Sequence, residues 1–358
     1  MDTQSRIELV KQVGEEIVTE EELKTLLETK THPIAYDGFE PSGRIHIAQG
    51  ILRALNTNIM IEAGCRFKFL IADWHAWANN KLGGNLENIQ TAGKYFVEVW
   101  KSCGMNLDKV EFVYANDLVT DRDYWKKVIN IARNSTVKRV TRCVEIMGRH
   151  ENEALQTSQM LYPCMQAADI FQLEADIAQL GMDQRKVNML ARELAPKFGW
   201  QKPLSISHHM LMGLGTPPEG HESTVERAIH LKMSKSKPHT AIFMTDNEAE
   251  INDKISKAHC PAKIVEENPI LDYVKHIIFR KYPILRIERP AKFGGPVEFE
   301  NFTTLTNAYA AGELHPMDLK NAVAFYLNEL VKPVRDHFEN NKKAKELFEQ
   351  VKGFEITR

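Results

Sequence analysis

A strand-like apolar segment, a turn and an amphipathic helix follow one another early in the chain. Residues 34–37 (I-A-Y-D) read as a buried strand, and Gly38, Pro41 and Gly43 mark the turn after it. Apolar residues then recur at helical spacing, in a helix predicted to begin near Ile45. A strand joined to a helix by a short turn is the repeating unit of α/β folds with a parallel sheet.

Further strand-like segments repeat this pattern. They cover residues 67–72, 110–114 and 202–207, and helix-like segments separate them. We therefore predict an α/β, Rossmann-like domain whose parallel sheet has helices on both faces. Ligands bind such sheets at the carboxyl ends of the strands. Four polar side chains stand at the predicted strand ends: Tyr36, Asp37, Asp73 and His75.

The segments around this domain differ in character. The T-x-x-E pattern from Thr19 to Glu22 fits the start of a helix, and the first 30 residues are predicted to be helical. Beyond residue 245 the chain reads as helices of charged and apolar residues. The predicted organisation is a helical extension over 1–30, an α/β domain over 31–231 with a helical insert at about 117–175, a loop over 232–240 and a mainly helical domain over 241–358.

Composition narrows the class of protein. With 43% apolar residues, 26% charged residues and a net charge of −2, the chain has no overall basic field, so nucleic-acid contact must rest on local patches. Its 5 cysteines form no C-x-x-C pair. No apolar run resembles a signal peptide or approaches the roughly 18 residues of a membrane span. These features predict a cytoplasmic protein with reduced thiols and no membrane partner.

Two short motifs predict a phosphate-binding site. F-E-P-S-G-R-I-H-I-A-Q runs from Phe39 to Gln49, and K-M-S-K-S runs from Lys232 to Ser236. The first places backbone N–H groups and His46 at the start of a helix, where anions are stabilised. The second places Lys232 and Lys235 on a short loop that can close over phosphates. Together they predict a triphosphate site.

A third cluster lies between these motifs. Tyr162, Gln166 and Asp169 follow a Y-x-x-x-Q-x-x-D spacing, and G-M-D-Q-R-K follows at 181–186. Gln166 and Asp169 share one helix face because they are three residues apart, and Tyr162, just before a proline, is predicted to cap that helix. The spacing alone favours a polar seam in a helical bundle. Asp169 together with Tyr36 favours a pocket, because a carboxylate and a phenol can both bind one hydroxyl.

Seven motifs occur in one order along nearly the whole chain: A-Y-D-G-F-E-P-S-G-R-I-H-I, A-D-W-H, Y-P-C-M-Q-A-A-D-I, G-M-D-Q-R-K, K-M-S-K-S, F-G-G at 293–295 and E-L-H-P-M-D-L-K-N-A-V at 313–323. In this order they resemble the tyrosyl-tRNA synthetases of the archaeal and eukaryotic type, which are class I aminoacyl-tRNA synthetases. The resemblance implies ATP-dependent joining of L-tyrosine to tRNA(Tyr) by a Rossmann-like catalytic domain with a helical anticodon-binding domain. It also implies a homodimer, and Mg²⁺ that arrives with ATP and needs no dedicated protein metal site.

The resemblance further implies roles for individual residues. The catalytic group would be His46, Gln49, Lys232 and Lys235. The tyrosine substrate would contact Tyr36, Ala72, His75, Tyr162, Gln166, Asp169 and Gln184. ATP would contact Gly38, Phe39, Glu40, Gly43, His46, Gln49, Asp183, Met233 and Ser234. The tRNA would contact Arg185 near the acceptor stem, and Phe279, His315 and Asp318 at the anticodon.

One motif departs from the family signature, and one segment allows two interpretations. Where the family signature often reads H-x-G-H, this chain has His46-Ile47-Ala48-Gln49, and Gln49 can donate a hydrogen bond but cannot become a cation. Residues 117–150 carry a basic cluster diluted by acids, which suits either a solvated face or the surface of a homodimer.

Three other functions compete with the tyrosine-specific one. A tryptophanyl-tRNA synthetase shares the fold and the lysine loop, but an indole N–H needs only one acceptor, and the pair of Tyr36 and Asp169 favours a phenol. A small-molecule adenylyltransferase would not need the C-terminal helical domain. A non-enzymatic paralogue would bind RNA without activating an amino acid. ATP–pyrophosphate exchange tested with each amino acid separates these possibilities.

Overall fold

A computed structural model describes residues 1–149, 153–220 and 224–357. The strands are β1 (Gly14–Val18), β2 (Ile34–Phe39), β3 (Arg66–Ile71), β4 (Val110–Tyr114), β5 (Ile177–Gly181), β6 (Leu204–His208), β7 (Leu285–Ile287) and β8 (Val297–Phe299). The first helices are α1 (Thr3–Val13), α2 (Glu20–Thr29), α3 (Arg53–Glu62), α4 (Asp73–Ala78), α5 (Leu86–Ser102), α6 (Ala115–Leu118), α7 (Arg122–Arg133), α8 (Val137–Thr141) and α9 (Thr157–Gln172). They are followed by α10 (Arg185–Phe198), α11 (Thr224–Leu231), α12 (Glu248–Lys257), α13 (Pro269–Tyr273), α14 (Phe279–Lys281), α15 (Phe302–Ala311), α16 (Pro316–Asn340) and α17 (Lys342–Lys352).

Six strands form the central sheet in the order β1-β6-β5-β2-β3-β4. All neighbours run parallel except β1 and β6, which are antiparallel. The chain leaves β2 towards β3 and β4, and later returns on the other side of β2 as β5 and β6. Such a switch point opens a crevice at the carboxyl ends of the strands. The predicted α/β class and the predicted strands at 34–37, 67–72, 110–114 and 202–207 are confirmed.

The prediction that residues 1–30 are helical throughout is wrong in one segment. Thr19 caps α2 as expected, its side chain accepting a hydrogen bond from the Glu22 N–H. Between α1 and α2, however, β1 pairs with β6 and extends the sheet by an antiparallel strand. Five residues without clear alternation carry little local signal, and pairing with a strand almost 190 residues away decides their conformation.

The helix predicted to begin near Ile45 begins three residues later. Ile45 and Ile47 exchange backbone hydrogen bonds with residues 242–244, so His46 lies in an extended segment just before the helix. The helix opens with a π-helical turn at Ala48–Leu52 and continues as α3. Gly64 follows it with φ +97°, a left-handed conformation that glycine adopts without strain.

Tyr162 lies inside α9 and does not cap it, contrary to prediction. The helix starts at Thr157, where the Gln159 side chain accepts a hydrogen bond from the Gln156 N–H at 2.9 Å. Pro163 removes one backbone hydrogen bond without ending the helix. Residues 162–170 are all buried, and this packing outweighs the local preference.

Two apolar cores support the structure. The larger one runs from the sheet into the helices after residue 241, and the smaller one lies between the sheet and α7–α10. The predicted C-terminal domain is mainly helical and also contains the antiparallel pair β7 and β8. Among the described residues, no helix combines the length and apolarity needed to cross a membrane.

Candidate active site

A cavity of about 650 Å³ opens at the carboxyl ends of β2, β3 and β5. It brings together most of the predicted site residues: Tyr36, Gly38, Phe39, Glu40, His46, Gln49, Ala72, His75, Tyr162, Gln166, Asp169, Asp183, Gln184, Lys232, Met233, Ser234 and Lys235. The fold therefore brings into one cavity side chains that come from five separate stretches of sequence.

One end of the cavity combines a buried phenol with a buried carboxylate. Tyr36 and Asp169 are both fully buried there, and burial together with the nearby Asp169 charge raises the pKa of Tyr36 well above its usual value. Nε2 of His75 lies 2.8 Å from Oδ2 of Asp169. Burial lowers the pKa of His75, but the Asp169 carboxylate outweighs this, and the net pKa is raised. Tyr36 therefore stays a neutral phenol beside a carboxylate.

Gly38 makes room for this arrangement. A Cβ on Gly38 would lie 2.8 Å from the Tyr36 hydroxyl, closer than van der Waals contact allows. Any other residue at position 38 would displace the phenol from the cavity floor.

The middle of the cavity carries neutral polar groups. The Gln166 side chain donates a hydrogen bond to Gln184 at 2.9 Å. Tyr162 packs edge-on against His75 with ring centroids 5.1 Å apart. This set can accept hydrogen bonds from an ammonium group without adding charge.

The other end of the cavity is cationic. Lys232 contacts Asp183 at 2.6 Å, and the Lys235 ammonium lies 3.3 Å from the Ser42 hydroxyl. Burial and the two lysines lower the pKa of His46 to about 3, so its imidazole is neutral at neutral pH. The lysine loop therefore already faces the His46 segment.

Gln49 occupies the position where the family signature often has its second histidine. Its backbone carbonyl accepts a hydrogen bond from the Trp100 indole at 2.9 Å. Its side-chain Oε1 is buried and, within the described residues, has no hydrogen-bond partner. The side chain lines the cavity, where this oxygen can accept a hydrogen bond.

Several predicted residues lie outside the cavity lining. Gly43, with φ +114°, backs onto Ile356. Asp37 pairs with Arg53 at 3.0 Å beneath the cavity, and Asp73 accepts hydrogen bonds from the backbone N–H groups of Trp74 and Asn116. Both carboxylates at these strand ends are therefore structural.

The predicted tRNA contacts lie elsewhere on the molecule. The Arg185 guanidinium contacts Glu16 of β1 at 2.6 Å. Phe279 is half-buried at the end of the 269–281 helical stretch, and Asp318 lies in the first turn of α16. His315 is the exposed N-cap of α16, its Nδ1 accepting from the Met317 N–H at 3.1 Å.

The structure adds residues that the sequence did not single out. Tyr124 of α7 donates a hydrogen bond to Asp169, and Lys81 lines the cationic end with its ammonium 3.6 Å from Glu40. Ile356 and Thr357 also line the cavity. None of these positions belongs to a local motif, and Tyr124 is connected to the cavity through its hydrogen bond to Asp169.

One cluster outside the cavity has the composition of a metal site. Glu15, His209 and His276 bring potential ligand atoms within 4.8 Å of one another. The two imidazole rings stack with centroids 3.8 Å apart and planes 9° apart, so their in-plane lone pairs run parallel and do not converge on one ion. His209 instead bridges Glu15 at 2.5 Å and Asp272 at 2.7 Å. Burial lowers its pKa, but the two carboxylates raise it to about 9, and the cluster acts as an ion pair network.

A second hollow, of about 730 Å³, lies between α12 and α16. Two of its lysines are engaged within the chain: Lys332 contacts Asp336 at 2.6 Å, and Lys320 donates to the Ser256 carbonyl at 2.9 Å. It contains none of the predicted site residues, so the cavity at the strand ends is the candidate active site.

The sequence is similar to that of one known family of proteins. Residues 28–332 match the class I tRNA synthetases for tryptophan and tyrosine. The chain is 52% identical over 360 residues to tyrosine–tRNA ligase 2, cytoplasmic, of Arabidopsis thaliana, covering all of this chain and 46% of that protein. It is 49% identical over 360 residues to tyrosine–tRNA ligase 1, cytoplasmic, of the same plant, covering all of this chain and 90% of that protein.

A solved structure agrees with the sequence matches. The tyrosyl-tRNA synthetase of Pyrococcus horikoshii, complexed with L-tyrosine, superposes with a TM-score of 0.91 at 42% identity, covering 98% of this chain and 100% of that one. This chain thus spans less than half of the first plant relative and nearly all of the other two proteins.

Proposed function

The chain belongs to the tyrosine–tRNA ligases within the class I tRNA synthetases, and on this basis we propose that it activates L-tyrosine with ATP and transfers it to tRNA(Tyr). The observation that carries the proposal is a single cavity with two unlike ends. Tyr36 and Asp169 form one end, and His46, Lys232 and Lys235 form the other. A phenol hydroxyl fits the first end and a triphosphate fits the second.

The first step needs positioning more than proton transfer. The tyrosine carboxylate, ionised at neutral pH, attacks the α-phosphorus of ATP, and the bond to pyrophosphate breaks. No protein base is required because the nucleophile carries no proton. Catalysis therefore consists of holding the reactants together and stabilising the charge on the phosphoryl oxygens.

Different polar residues of the cavity bind different groups of the reactants. Tyr36 and Asp169 bind the phenol hydroxyl, and Gln166, Gln184 and Tyr162 bind the ammonium group, which directs the carboxylate to the cationic end. There His46 acts as a neutral hydrogen-bond donor, because its pKa of about 3 keeps it uncharged. In the second step a terminal ribose hydroxyl of tRNA attacks the adenylate carbonyl.

Lys232 must leave its present partner before it can bind the phosphates of ATP. In the structure its ammonium lies 2.6 Å from Asp183. Asp183 is the proposed contact of the ATP ribose, so ribose hydroxyls compete for the carboxylate and free the ammonium for the phosphates. The Lys232–Asp183 pair thereby links nucleotide binding to closure of the lysine loop.

Mg²⁺ is proposed to enter with ATP. Three carboxylates of the cavity lining are already engaged: Asp183 by Lys232, Glu40 by Lys81 and Asn79, and Glu145 by Lys186. The described part of the cavity thus favours an ion held mainly by phosphate oxygens and water. When bound there, the ion would neutralise phosphate charge.

We further propose a cytoplasmic homodimer that presents tRNA to Arg185 at the acceptor stem and to Phe279, His315 and Asp318 at the anticodon. The candidate dimer surface is 117–150, of which residue 150 lies outside the described residues. Two apolar side chains there are unusually exposed, Ile129 at 51% and Val137 at 74%. Three basic residues of the same surface are engaged within the chain: Lys126 with Asp123, Lys127 with Gln172 and Arg139 with Glu193. These features favour a protein interface over an RNA-binding face.

ATP–pyrophosphate exchange, measured with each amino acid in turn, tests the activity. Exchange should depend on tyrosine, and Asp169→Ala should abolish it while ATP binding persists. Asp123→Ala, which removes an exposed carboxylate from α7, is the matched control and should leave exchange unchanged. Exchange driven by tryptophan, or near wild-type exchange in the Asp169→Ala variant, would contradict the pocket assignment. RNA binding without any exchange would support the non-enzymatic alternative.

A further inference from the structure

Two side chains that follow α17 reach the cavity at its cationic end. Ile356 and Thr357 line the cavity together with Lys235 and Ser42. The Ile356 side chain packs against the turn at Gly43, with Cγ1 3.4 Å from the position a Cβ on Gly43 would occupy. It is nevertheless 45% exposed, because its other side faces the open cavity.

Thr357 is tied to a second turn, residues 80–84. Its hydroxyl donates a hydrogen bond to the Asn80 carbonyl at 2.8 Å and accepts one from the Gly83 N–H at 3.1 Å. Within this turn Asn80 and Leu82 have φ values of 59° and 50°, a left-handed conformation that is unfavourable for residues with a side chain. Such a turn persists only when contacts from outside fix it.

The same turn carries Lys81 into the cavity. The Lys81 ammonium lies 3.6 Å from Glu40, and its side chain is largely buried. It is close enough to Lys235 for its charge to contribute to the lowered pKa of that lysine. The position of the turn therefore sets the position of a third cation at the phosphate end.

We propose that Ile356 and Thr357 are positioning residues of the nucleotide site. Thr357 fixes the turn that presents Lys81, and Ile356 shields the Gly43 turn from water, which strengthens electrostatic contacts to the phosphates. This inference rests on the function proposed above. It assigns to residues far from the signature motifs a share in ATP binding, and none in tyrosine binding, since Tyr36 and Asp169 lie at the opposite end.

Thr357→Val tests the proposal, because valine keeps the shape of threonine and removes both hydrogen bonds. In tyrosine-dependent pyrophosphate exchange we expect the KM for ATP to rise about 10-fold, the loss expected for a good hydrogen-bonded contact, while the KM for tyrosine changes less than about twofold. Ile356→Ala should act in the same direction. Glu355→Ala removes an exposed neighbouring side chain that does not line the cavity, so as the matched control it should leave both constants unchanged.

A double-variant cycle with Lys81→Met separates positioning from general packing. If Thr357 acts through the Lys81 turn, Thr357→Val should add little to the effect of Lys81→Met. Full additivity, an unchanged KM for ATP, or equal losses for both substrates with a lowered melting temperature would each overturn the inference. A wild-type protein without tyrosine-dependent exchange would instead contradict the proposed function.

Discussion

The Tyr124 hydroxyl donates a hydrogen bond to Oδ1 of Asp169 at 3.0 Å, and both side chains are fully buried. His75 lies against the other carboxylate oxygen. Asp169 therefore has a hydrogen-bond donor on one oxygen and an imidazole nitrogen 2.8 Å from the other before any substrate hydroxyl arrives. When a substrate lacks the hydroxyl, this carboxylate keeps both of these contacts. Discrimination against phenylalanine therefore depends mainly on Tyr36 and on the remaining lone pairs of Asp169, which lose their partner.

Tyr124→Phe should weaken tyrosine binding without affecting ATP. Losing a hydrogen bond to a charged group costs about 1.5 kcal/mol or more, so the KM for tyrosine should rise at least about 10-fold in pyrophosphate exchange. The preference for tyrosine over phenylalanine should fall as Asp169 loses its fixed orientation. Tyr114→Phe removes a hydroxyl outside the cavity lining and should change neither value. An unchanged KM for tyrosine in Tyr124→Phe would mean that His75 alone orients the carboxylate.

Breaking the buried Asp37–Arg53 pair beneath the cavity should strongly lower the stability of the protein. Asp37 and Arg53 lie 3.0 Å apart with almost no exposure. Asp37→Leu would leave a guanidinium buried without its partner, and the free energy of unfolding should fall by about 3–5 kcal/mol. The double variant Asp37→Leu/Arg53→Met should recover most of this loss because no charge remains buried. Urea unfolding measures both, and equal instability of the single and double variants would count against the charge argument.

The same pair predicts a pH dependence of stability. Burial raises the pKa of Asp37 to about 7, although Arg53 opposes the shift. The folded state therefore holds a proton that the unfolded state releases near pH 4, and this contribution to stability decreases as the pH rises from about 4 to 7. Unfolding free energies measured from pH 5 to pH 8 should show the decrease, and it should be smaller in the double variant.

Some elements and site residues are marked in the sequence by local patterns, and others are not. Strands β2 and β3 and the pocket residues Tyr36 and Asp169 were predictable, because continuous apolar runs and ordered motifs mark them locally. Tyr124 carries no such mark, since it meets Asp169 only when α7 packs on α9. Thr357 reaches Asn80 across 277 positions, a distance at which spacing conveys nothing.

The pairing partners of polar groups and strands are also not marked in the local sequence. Asp37 follows a predicted strand and so suggests a ligand, but Arg53 neutralises it from the next helix. β1 forms because β6 offers it an open edge, and its own five residues do not specify a strand. Local pattern thus predicted which elements exist, while packing decided which polar groups remain available.

Lys235 should couple ATP binding to pH. Burial lowers its pKa to about 7, Glu40 opposes the shift and Lys81 adds to it. As the pH rises through 7 the free protein loses this positive charge, so the KM for ATP should increase between pH 7 and 9. Lys235→Arg keeps its charge throughout that range and should flatten the profile. Lys24→Arg on the exposed face of α2 should reproduce the wild-type curve, and a pH-independent KM for ATP in the wild type would show that Lys235 stays charged.

The first turn of α16 should serve tRNA and not the amino acid. His315 uses Nδ1 to accept from the Met317 N–H, so its neutral ring carries a proton on Nε2 and presents a donor outward. Asp318, one turn further on, presents an acceptor, and the two can read the edges of an unstacked base. Asp318→Ala should therefore raise the KM for tRNA about 10-fold in aminoacylation while pyrophosphate exchange stays at the wild-type rate. Glu329→Ala, an exposed carboxylate further along α16, should change neither rate. Equal losses in both assays would instead indicate that the substitution disturbs the fold, because the proposed site of adenylate formation lies at the carboxyl ends of β2, β3 and β5.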